Sequence, residues 1–373
     1  MLEPCTVRTS LVQSFEELQR YGQHWTFVTN DHPMHSWNWL SNWWKTYRAP
    51  TDELFVILVD DRRGQLIGIA PFYRRRKYGQ RILRWLGDGQ LETEQLGIFA
   101  VAGWRQRVVS AVSERLVAER KEWDRLVLQS TEVGSSGCEL AERLQADGFE
   151  SQALPSNSCW RMAIPGDWGS FLASLPKSQR KRCRRRLRGE LHEGDWQPRH
   201  VEQPGDFEYA FRILRGLHGA WAGRNEQPNL FAAEPFRRFH ATTGRQLLRH
   251  KRLRLCWLEY KGRPVSAAYQ FLQRPQIHSY LTAIDPDAAH LSPGHLLMLA
   301  GVEFAMEHGF SGLCLPRGAE GYQRLWGATE IPCIELRIWP VKWSAGRSGA
   351  ATLARVWRGS PSGAPTVWRP WLR

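Results

Sequence analysis

The sequence lacks the features that mark several large classes of protein. No apolar run reaches the roughly 18–20 residues that a membrane-spanning helix needs, and the first residues hold no apolar segment typical of a secretory signal. Seven cysteines are scattered without a CxxC pair, which argues against a zinc ribbon and a disulfide framework. The usual P-loop, dinucleotide, zincin and serine-hydrolase signatures are absent as well. These absences favour a protein of the reducing cytoplasm.

Positive charge, by contrast, is abundant and unevenly placed. The 373 residues include 51 Lys and Arg against 37 Asp and Glu, a net charge of +14. The segment 177–188 (KSQRKRCRRRLR) holds eight basic residues and no acid, and the segment 341–373 holds six and no acid. These two segments account for the whole excess, so the rest of the chain is formally neutral. The charge indicates local contacts with an anion and argues against a protein that coats nucleic acid throughout.

The two halves of the chain resemble each other. Hairpin signals at 54–73 and 253–272 align with an offset of 198, which places Gly64 on Gly262. A helical segment precedes each hairpin, at 36–47 and 236–250. A strand, a helix and a strand follow, at 81–86, 104–120 and 123–129 in the first half, and at 277–284, 294–308 and 309–315 in the second. The pattern predicts two similar α/β domains.

The two basic segments lie outside these repeats. Residues 176–192 contain few helix breakers and are predicted to form a helix between the domains. One interpretation is a solvated linker helix, and the other is a contact with a phosphate-rich partner. Residues 341–373 carry four tryptophans among Gly, Ser, Ala and Pro and are interpreted as a flexible tail. Such a tail could touch an anionic bilayer surface, or it could be a solvated tail without a partner.

The segment DPDAAHLSPGHLLMLAGVEFA, residues 285–305, is the most informative local pattern. A strand ends near Ile284, and Ser292 and Pro293 are typical of a helix N-cap and first turn. Gly294 permits close approach of a backbone or a ligand. A loop that ends in a helix N-terminus can bind an anion, because its free N–H groups and the helix dipole favour negative charge. A well-made helix cap without a ligand is the alternative.

A second pattern, LCLPRGAEGYQRLWGA at 313–328, places side chains suited to catalysis after a short apolar strand. Arg317, Glu320 and Tyr322 follow this strand, and α/β sheets bind ligands at strand ends. Tyrosine can serve as a general acid and glutamate as a general base. An ordinary loop with a salt bridge is the alternative. His32 and His35 have no further ligands at suitable spacing, so no metal site is predicted.

Taken together, these segments resemble the CelD-like acyltransferases of the GNAT superfamily, which are related in fold to the FemAB aminoacyl transferases. The resemblance rests on motifs in a fixed order from about residue 26 to residue 339: HSWNWLSNWW, LIGIAPFYRRR, RWLG, KSQRKRCRRRLRGELHEGD, PVSAAYQF, YLTAIDPDAAHLSPGHLLMLAGVEFAMEHG and RGAEGYQRLWGA. It implies a mixed α/β (α+β) fold of two tandem GNAT-like domains. The expected divisions are an N-terminal domain at 1–170, a basic linker helix at 171–200, a C-terminal domain with the donor site at 201–340, and a tail at 341–373.

The resemblance also implies an acyl-CoA donor, with acetyl-CoA as the first candidate, and no metal. Its pyrophosphate would lie at Ser292, Pro293, Gly294 and His295, with Arg317 nearby, and its pantetheine arm would lie between the strands that end near residues 284 and 315. Tyr322 would act as the acid and Glu320 or Asp285 as the base. The first half has Val-Ala-Gly-Trp before its helix, without a cap followed by Pro-Gly, so only the second domain is expected to bind the donor.

Two departures from the family pattern leave other functions open. Cys314 stands where an acidic residue is common, and Gln323 stands where lysine is common. The expected acceptor is an amine or a hydroxyl related to the cell envelope or to polysaccharide, and the expected location is the cytoplasm with peripheral contact at the inner membrane. The alternatives are a FemAB-like transferase whose basic helix contacts aminoacyl-tRNA, and a degenerate GNAT pair that acts as a binding or scaffold protein.

Overall fold

A computed structural model describes residues 7–30, 32–89, 91, 93–191, 194–316 and 320–341. These residues form two compact units, one made of 7–157 with 332–341 and the other of 158–331. Arg317 and nearly all of the tail predicted at 341–373 lie outside the described residues.

Helices and strands are interspersed along the whole described chain. The first half contains β1 (Arg8–Val12), α1 (Phe15–Gln19), α2 (Gly22–Val28), α3 (Trp37–Tyr47), β2 (Glu53–Asp60), β3 (Leu66–Lys77), β4 (Gln80–Trp85), β5 (Phe99–Ala100), α4 (Arg105–Ala118), β6 (Arg125–Glu132), α5 (Ser136–Ala146) and β7 (Phe149–Ala163). The second half contains α6 (Trp168–Ser174), α7 (Lys177–Gly189), β8 (Trp196–His200), α8 (Phe207–Arg224), α9 (Glu234–Arg249), β9 (Leu253–Tyr260), β10 (Arg263–Gln273), β11 (Gln276–Ile284), α10 (Pro293–Glu307), β12 (Gly312–Leu315), α11 (Glu320–Leu325) and β13 (Thr329–Pro340).

The first unit is built on a mixed sheet in the order β1-β2-β3-β4-β6-β13, with the short β5 paired to β3. All pairs in this unit are antiparallel except β4 with β6, which are parallel and are connected through α4. Strand β2 reads ELFVILVD and is buried along most of its length, because helices cover the sheet. The largest fully buried side chains here are aromatic, and they include Trp39, Trp43 and Trp85.

The second unit repeats this plan. Its sheet has the order β7-β12-β11-β10-β9-β8, and again the one parallel pair, β11 with β12, is connected through a helix, α10. Helix α10 reads PGHLLMLAGVEFAME and is apolar around most of its circumference, so it is buried among core residues of the unit. Gly64 and Gly262 occupy equivalent hairpin turns, and both have φ of 75°, a conformation that favours glycine.

The elements confirm the fold class and the repeat expected from the sequence, whereas the observed division differs from the expected domain boundaries. The carboxyl end of β7 pairs with β12 of the second unit, and β13 pairs with β6 of the first. The last strand of each repeat therefore ends in the other unit's sheet, and residues 332–341 join the first unit. Helix α7, expected between the domains, lies within the second unit. Domain boundaries that divide the sequence into contiguous segments cannot describe such an exchange of strands.

Candidate functional site

The pairing of β11 with β12 stops before β11 ends, which leaves a gap beside the last residues of β11. Their backbone pairing joins residues 276–278 to residues 312–314. Strand β11 then continues to Ile284, where it is still paired with Ser266 of β10. Among the described residues, 279–284 therefore extend beyond the pairing with β12. Because ligands of α/β sheets bind at the carboxyl ends of parallel strands, this gap is the natural place for a site.

Helix α10 begins beside this gap, at Ser292 and Pro293. Ser292 has the left-handed conformation, with φ of 51°, and occupies the N-cap position as the sequence predicts. Its side chain makes no capping hydrogen bond to the described residues, unlike a conventional serine cap. Pro293, the first helical residue, has no N–H group to leave unsatisfied. The first turn of a 15-residue helix is thus left uncapped by its own N-cap side chain.

Gly294 allows a close approach, as predicted, and a side chain makes it. A Cβ added at this position would lie 2.5 Å from Cδ1 of Ile284, the last residue of β11. The absent side chain therefore lets α10 start directly against the end of the strand. This contact fixes the helix N-terminus at the gap between the strands.

His295 is the third helical residue and is only 7% exposed. The side-chain amide nitrogen of Gln179 lies 2.9 Å from its Nε2, and Sγ of Cys183 lies 3.9 Å from the same atom. An amide nitrogen can only donate, so Nε2 accepts and the neutral ring carries its proton on Nδ1. Nδ1 is buried and has no hydrogen-bond partner among the described residues. A buried donor therefore remains at the first turn of α10.

The residues that hold His295 belong to the basic helix α7. Gln179, Cys183 and Arg186 are the buried residues of this helix, and they follow one another at helical spacing on one face. The Arg186 guanidinium donates to the carbonyl oxygens of Leu291 and Ser292, at 3.0 and 3.3 Å. Helix α7 is therefore packed across the loop that precedes α10, and only its remaining faces are solvated.

The arginines of α7 influence the site electrostatically. Burial, together with the charges of Arg182, Arg186 and Arg185, lowers the pKa of His295 to about 3. Burial raises the pKa of the Cys183 thiol to about 11. Both side chains are therefore neutral at physiological pH. The positive charge of the site comes from the arginines alone, and Cys183 is a packing residue rather than a nucleophile.

Trp326 connects His295 with Tyr322. Its ring centroid lies 4.8 Å from that of His295 and 6.3 Å from that of Tyr322. Burial raises the pKa of the Tyr322 hydroxyl, although the charge of Arg182 and a hydrogen bond to Trp326 oppose the shift. A tyrosine that keeps its proton at neutral pH can donate it to a leaving group. Tyr322 and His295, both predicted site residues, thus pack against the same tryptophan ring.

Asp285, a predicted base, has both carboxylate oxygens engaged in hydrogen bonds. One carboxylate oxygen accepts from the backbone N–H of Asp287 at 3.0 Å, and the other accepts from Arg263 at 2.8 Å. The side chain therefore caps the turn after β11 and anchors Arg263, which leaves little capacity to accept a substrate proton. Glu320 begins α11, and its side chain lies outside the description. Arg317 also lies outside the described residues.

The two departures from the family pattern have structural partners. The amide nitrogen of Gln323 donates to the carbonyl oxygen of Pro316 at 2.9 Å, and so ties α11 to the end of β12. The thiol of Cys314 lies 2.8 Å from the amide oxygen of Gln276 on β11. Cys314 thus acts where β11 and β12 are paired, whereas Gln323 acts just beyond the end of β12.

The first unit differs at the equivalent position. There the parallel pair ends at Arg84 opposite Val127. Arg84 donates to Asp88 at 2.7 Å and to Gln129 at 2.9 Å, and the Tyr73 hydroxyl donates to Asp88 at 3.0 Å. Polar side chains thus link β4 and β6 just beyond their last paired residues. Helix α4 begins at Arg105, and its N-cap Trp104 makes no side-chain capping bond to the described residues.

Sequence analysis missed the contribution of α7. Gln179, Cys183 and Leu187 interrupt the basic run at a spacing of four residues, which is the signal of a helix with one face turned inward. The density of arginine concealed that pattern. Arg186 carried no separate signal, because nothing in the sequence distinguishes it from the exposed arginines on either side.

Part of the second unit matches a known family of enzymes. Residues 177–324, from the first residue of α7 into α11, match a family model described as an acetyltransferase (GNAT) domain. This match confirms the predicted enzyme class, an acyltransferase of the GNAT type. It does not distinguish the CelD-like group, which stays a prediction. A search of curated proteins found no match.

Solved structures share the fold of the whole chain at low sequence identity. FemX superposes with a TM-score of 0.62 at 12% identity, covering 89% of this chain and 97% of its own. The C-terminal domain of a putative lysylphosphatidylglycerol synthetase from Agrobacterium fabrum has a TM-score of 0.53 at 11% identity, covering 86% of this chain and 91% of its own. L-PGS from Bacillus licheniformis has a TM-score of 0.50 at 10% identity, covering 89% of this chain and 94% of its own.

The described residues contain no helix with the length and apolar character required to cross a bilayer. Within the same residues, no three His, Cys, Asp or Glu side chains are grouped so that they could hold a metal ion.

Proposed function

We propose that the second unit transfers an acyl group from acyl-CoA, with acetyl-CoA as the simplest donor, to an amine or a hydroxyl. The observation that carries this proposal is the start of α10 beside the gap between β11 and β12. A buried donor on His295 and the positive end of a long helix would favour the donor's phosphates there. The gap would admit the thioester arm, as the GNAT resemblance implies.

In this mechanism the chain's residues position the donor and move two protons. The acceptor nitrogen or oxygen attacks the thioester carbonyl, and its proton passes to a base, for which Glu320 remains the candidate. The C–S bond then breaks, and Tyr322 gives its proton to the CoA thiolate. Positioning supplies much of the rate, and each acid or base group typically contributes roughly 10²–10⁴-fold. The engagement of Asp285 with Arg263 argues against a catalytic role for that carboxylate.

The acceptor is proposed to be a component of the cell envelope or of a related polysaccharide. One fold relative is named as a putative lysylphosphatidylglycerol synthetase, which suggests chemistry on envelope material. The cytoplasmic location with peripheral contact at the inner membrane accords with such an acceptor. The exposed cations of α7 could supply a contact with anionic lipid.

Introducing one negative charge at position 292 tests the proposed donor site. We expect Ser292→Asp to fold normally, because aspartate tolerates the left-handed conformation and a negative N-cap favours the helix dipole by about 0.3–1 kcal/mol. Acetyl-CoA affinity, measured by calorimetry, should fall by about tenfold or more, since like charges about 4 Å apart repel by roughly 1–4 kcal/mol. Ser292→Asn has nearly the same shape without the charge and should bind as wild type. Equal affinities for the two variants would exclude phosphate binding at this helix terminus.

A FemAB-like transferase that uses aminoacyl-tRNA is the second candidate. The fold shared with FemX across most of both chains favours it. So do the exposed cations of α7, namely Lys177, Lys181, Arg182, Arg184, Arg185 and Arg188. Binding of tRNA that weakens steeply with salt, in a protein that does not bind acetyl-CoA, would replace the first proposal with this one. Acetyl-CoA binding without transfer to any amine or hydroxyl would favour the scaffold alternative.

A further inference from the structure

Helix α7 presents two different cationic sides to solvent. Its buried line runs through Gln179, Cys183 and Arg186. At 100° per residue, Arg182 lies about 40° and Arg185 about 100° from Arg186 on the same side of the helix, whereas Arg184 lies on the opposite flank and Arg188 on the outer side. Arg186 itself reaches the backbone of Ser292. The side with Arg182 and Arg185 is therefore the one nearer to the start of α10.

The electrostatics support this sidedness. The pKa of His295 responds to Arg182, Arg185 and Arg186, whereas Arg184 and Arg188 are not among its causes. Arg182 also acts on the pKa of Tyr322, on the other side of Trp326. Two arginines on one side of α7 thus act electrostatically on the first turn of α10.

These two arginines have no structural task that explains their position. Both are exposed, and neither forms an ion pair with a carboxylate among the described residues. Arg186, in contrast, is paired with Glu190 and bonded to two carbonyl oxygens. Next to them His295 keeps its buried donor without a protein acceptor among the described residues. Unpaired cations and a buried unpaired donor around one helix N-terminus match the chemistry of a multiply charged phosphate ligand.

We propose that Arg182 and Arg185 bind the phosphate groups of the acyl donor, so that α7 forms one wall of the donor site. This inference rests on the proposed function. In this arrangement Gln179, Cys183 and His295 position the helix, and the two arginines contact the ligand. The donor's affinity then depends on two specific cations rather than on the total charge of the basic segment.

Four variants with the same loss of charge test the assignment. Arg182→Gln and Arg185→Gln are compared with Arg184→Gln and Arg188→Gln, all at exposed positions of α7. Calorimetric titration with acetyl-CoA should show a loss of about tenfold for each of the first two, as expected for a charge-assisted hydrogen bond. The other two should stay within about twofold of wild type. All four should keep the wild-type unfolding midpoint.

A second probe, inorganic pyrophosphate, separates this inference from the proposed function. Weaker pyrophosphate binding in the Arg182 and Arg185 variants, in a protein that does not bind acetyl-CoA, would support the phosphate site and overturn the CoA donor. Acetyl-CoA binding that is equally weakened in all four variants would overturn the assignment of two specific arginines. Binding that is unchanged in all four would remove α7 from the donor site and leave the helix terminus as its only anion-binding element.

Discussion

Replacing Trp326 by alanine is expected to lower the free energy of unfolding of the second unit by about 3–5 kcal/mol, the usual cost of deleting a buried aromatic side chain. Trp326 is 1% exposed and belongs to the core of that unit. Its ring supports His295 on one side and Tyr322 on the other. Removing the ring would leave a cavity beside both residues and would remove their support. Acetyl-CoA binding should therefore weaken together with stability.

Urea unfolding, with calorimetry for binding, measures both effects of Trp326→Ala. Trp326→Phe refills part of the space and should recover a large part of the stability. Leu325→Ala alters the preceding residue, which is 42% exposed, and should change stability by no more than about 0.5 kcal/mol. A loss below about 1 kcal/mol for Trp326→Ala would show that this ring does not support the site.

Arg186→Met is the second variant with a large expected effect. The guanidinium is 8% exposed and donates to the carbonyl oxygens of Leu291 and Ser292. Burial lowers the pKa of Arg186, which indicates that the charged group is held at a desolvation cost and by its contacts. Methionine fills a similar length but leaves two carbonyl groups without this donor. We expect a loss of about 2–4 kcal/mol of stability and a loss of acetyl-CoA binding, because α7 detaches from the loop before α10.

Two comparison variants serve as controls for Arg186→Met. Arg188→Met removes an exposed cation from the same helix and should be nearly neutral for stability. Arg186→Lys keeps the charge but loses the two-pronged donation, so its stability should lie between those of wild type and Arg186→Met. Identical unfolding curves for Arg186→Met and Arg188→Met would contradict the role of Arg186 in holding α7 against the loop before α10.

Local patterns predicted most of the fold. The hairpins at β2–β3 and β9–β10 follow from apolar runs around polar turns, with Gly64 and Gly262 at the turning points. The offset between the halves predicted two similar α/β domains, and the described residues of the two units share a plan with one parallel pair of strands each. The exchange of the last strands was not predictable in this way. It depends on long-range pairing of β7 and β13, and nothing local in either strand specifies its partner.

The local features of the site could be predicted from the sequence. Ser292, Pro293 and His295 were proposed because cap residues and helix starts have local signatures, and they lie at the start of α10; their role in donor binding stays a prediction. The partners of His295 on α7 were missed, because burial of one face of a strongly cationic helix is decided by tertiary packing. Asp285 was proposed as a base because of its sequence position, and in the structure its carboxylate accepts hydrogen bonds from the turn and from Arg263.

Hydrogen exchange with and without acetyl-CoA tests the central claim most directly, because it reads both units of the intact chain at once. The account predicts slower amide exchange on ligand addition in residues 285–297 and in α7. It predicts no change at residues 101–108, where α4 of the first unit begins. Protection at the start of α4, or no protection at the start of α10, would contradict the assignment of the donor site to the second unit.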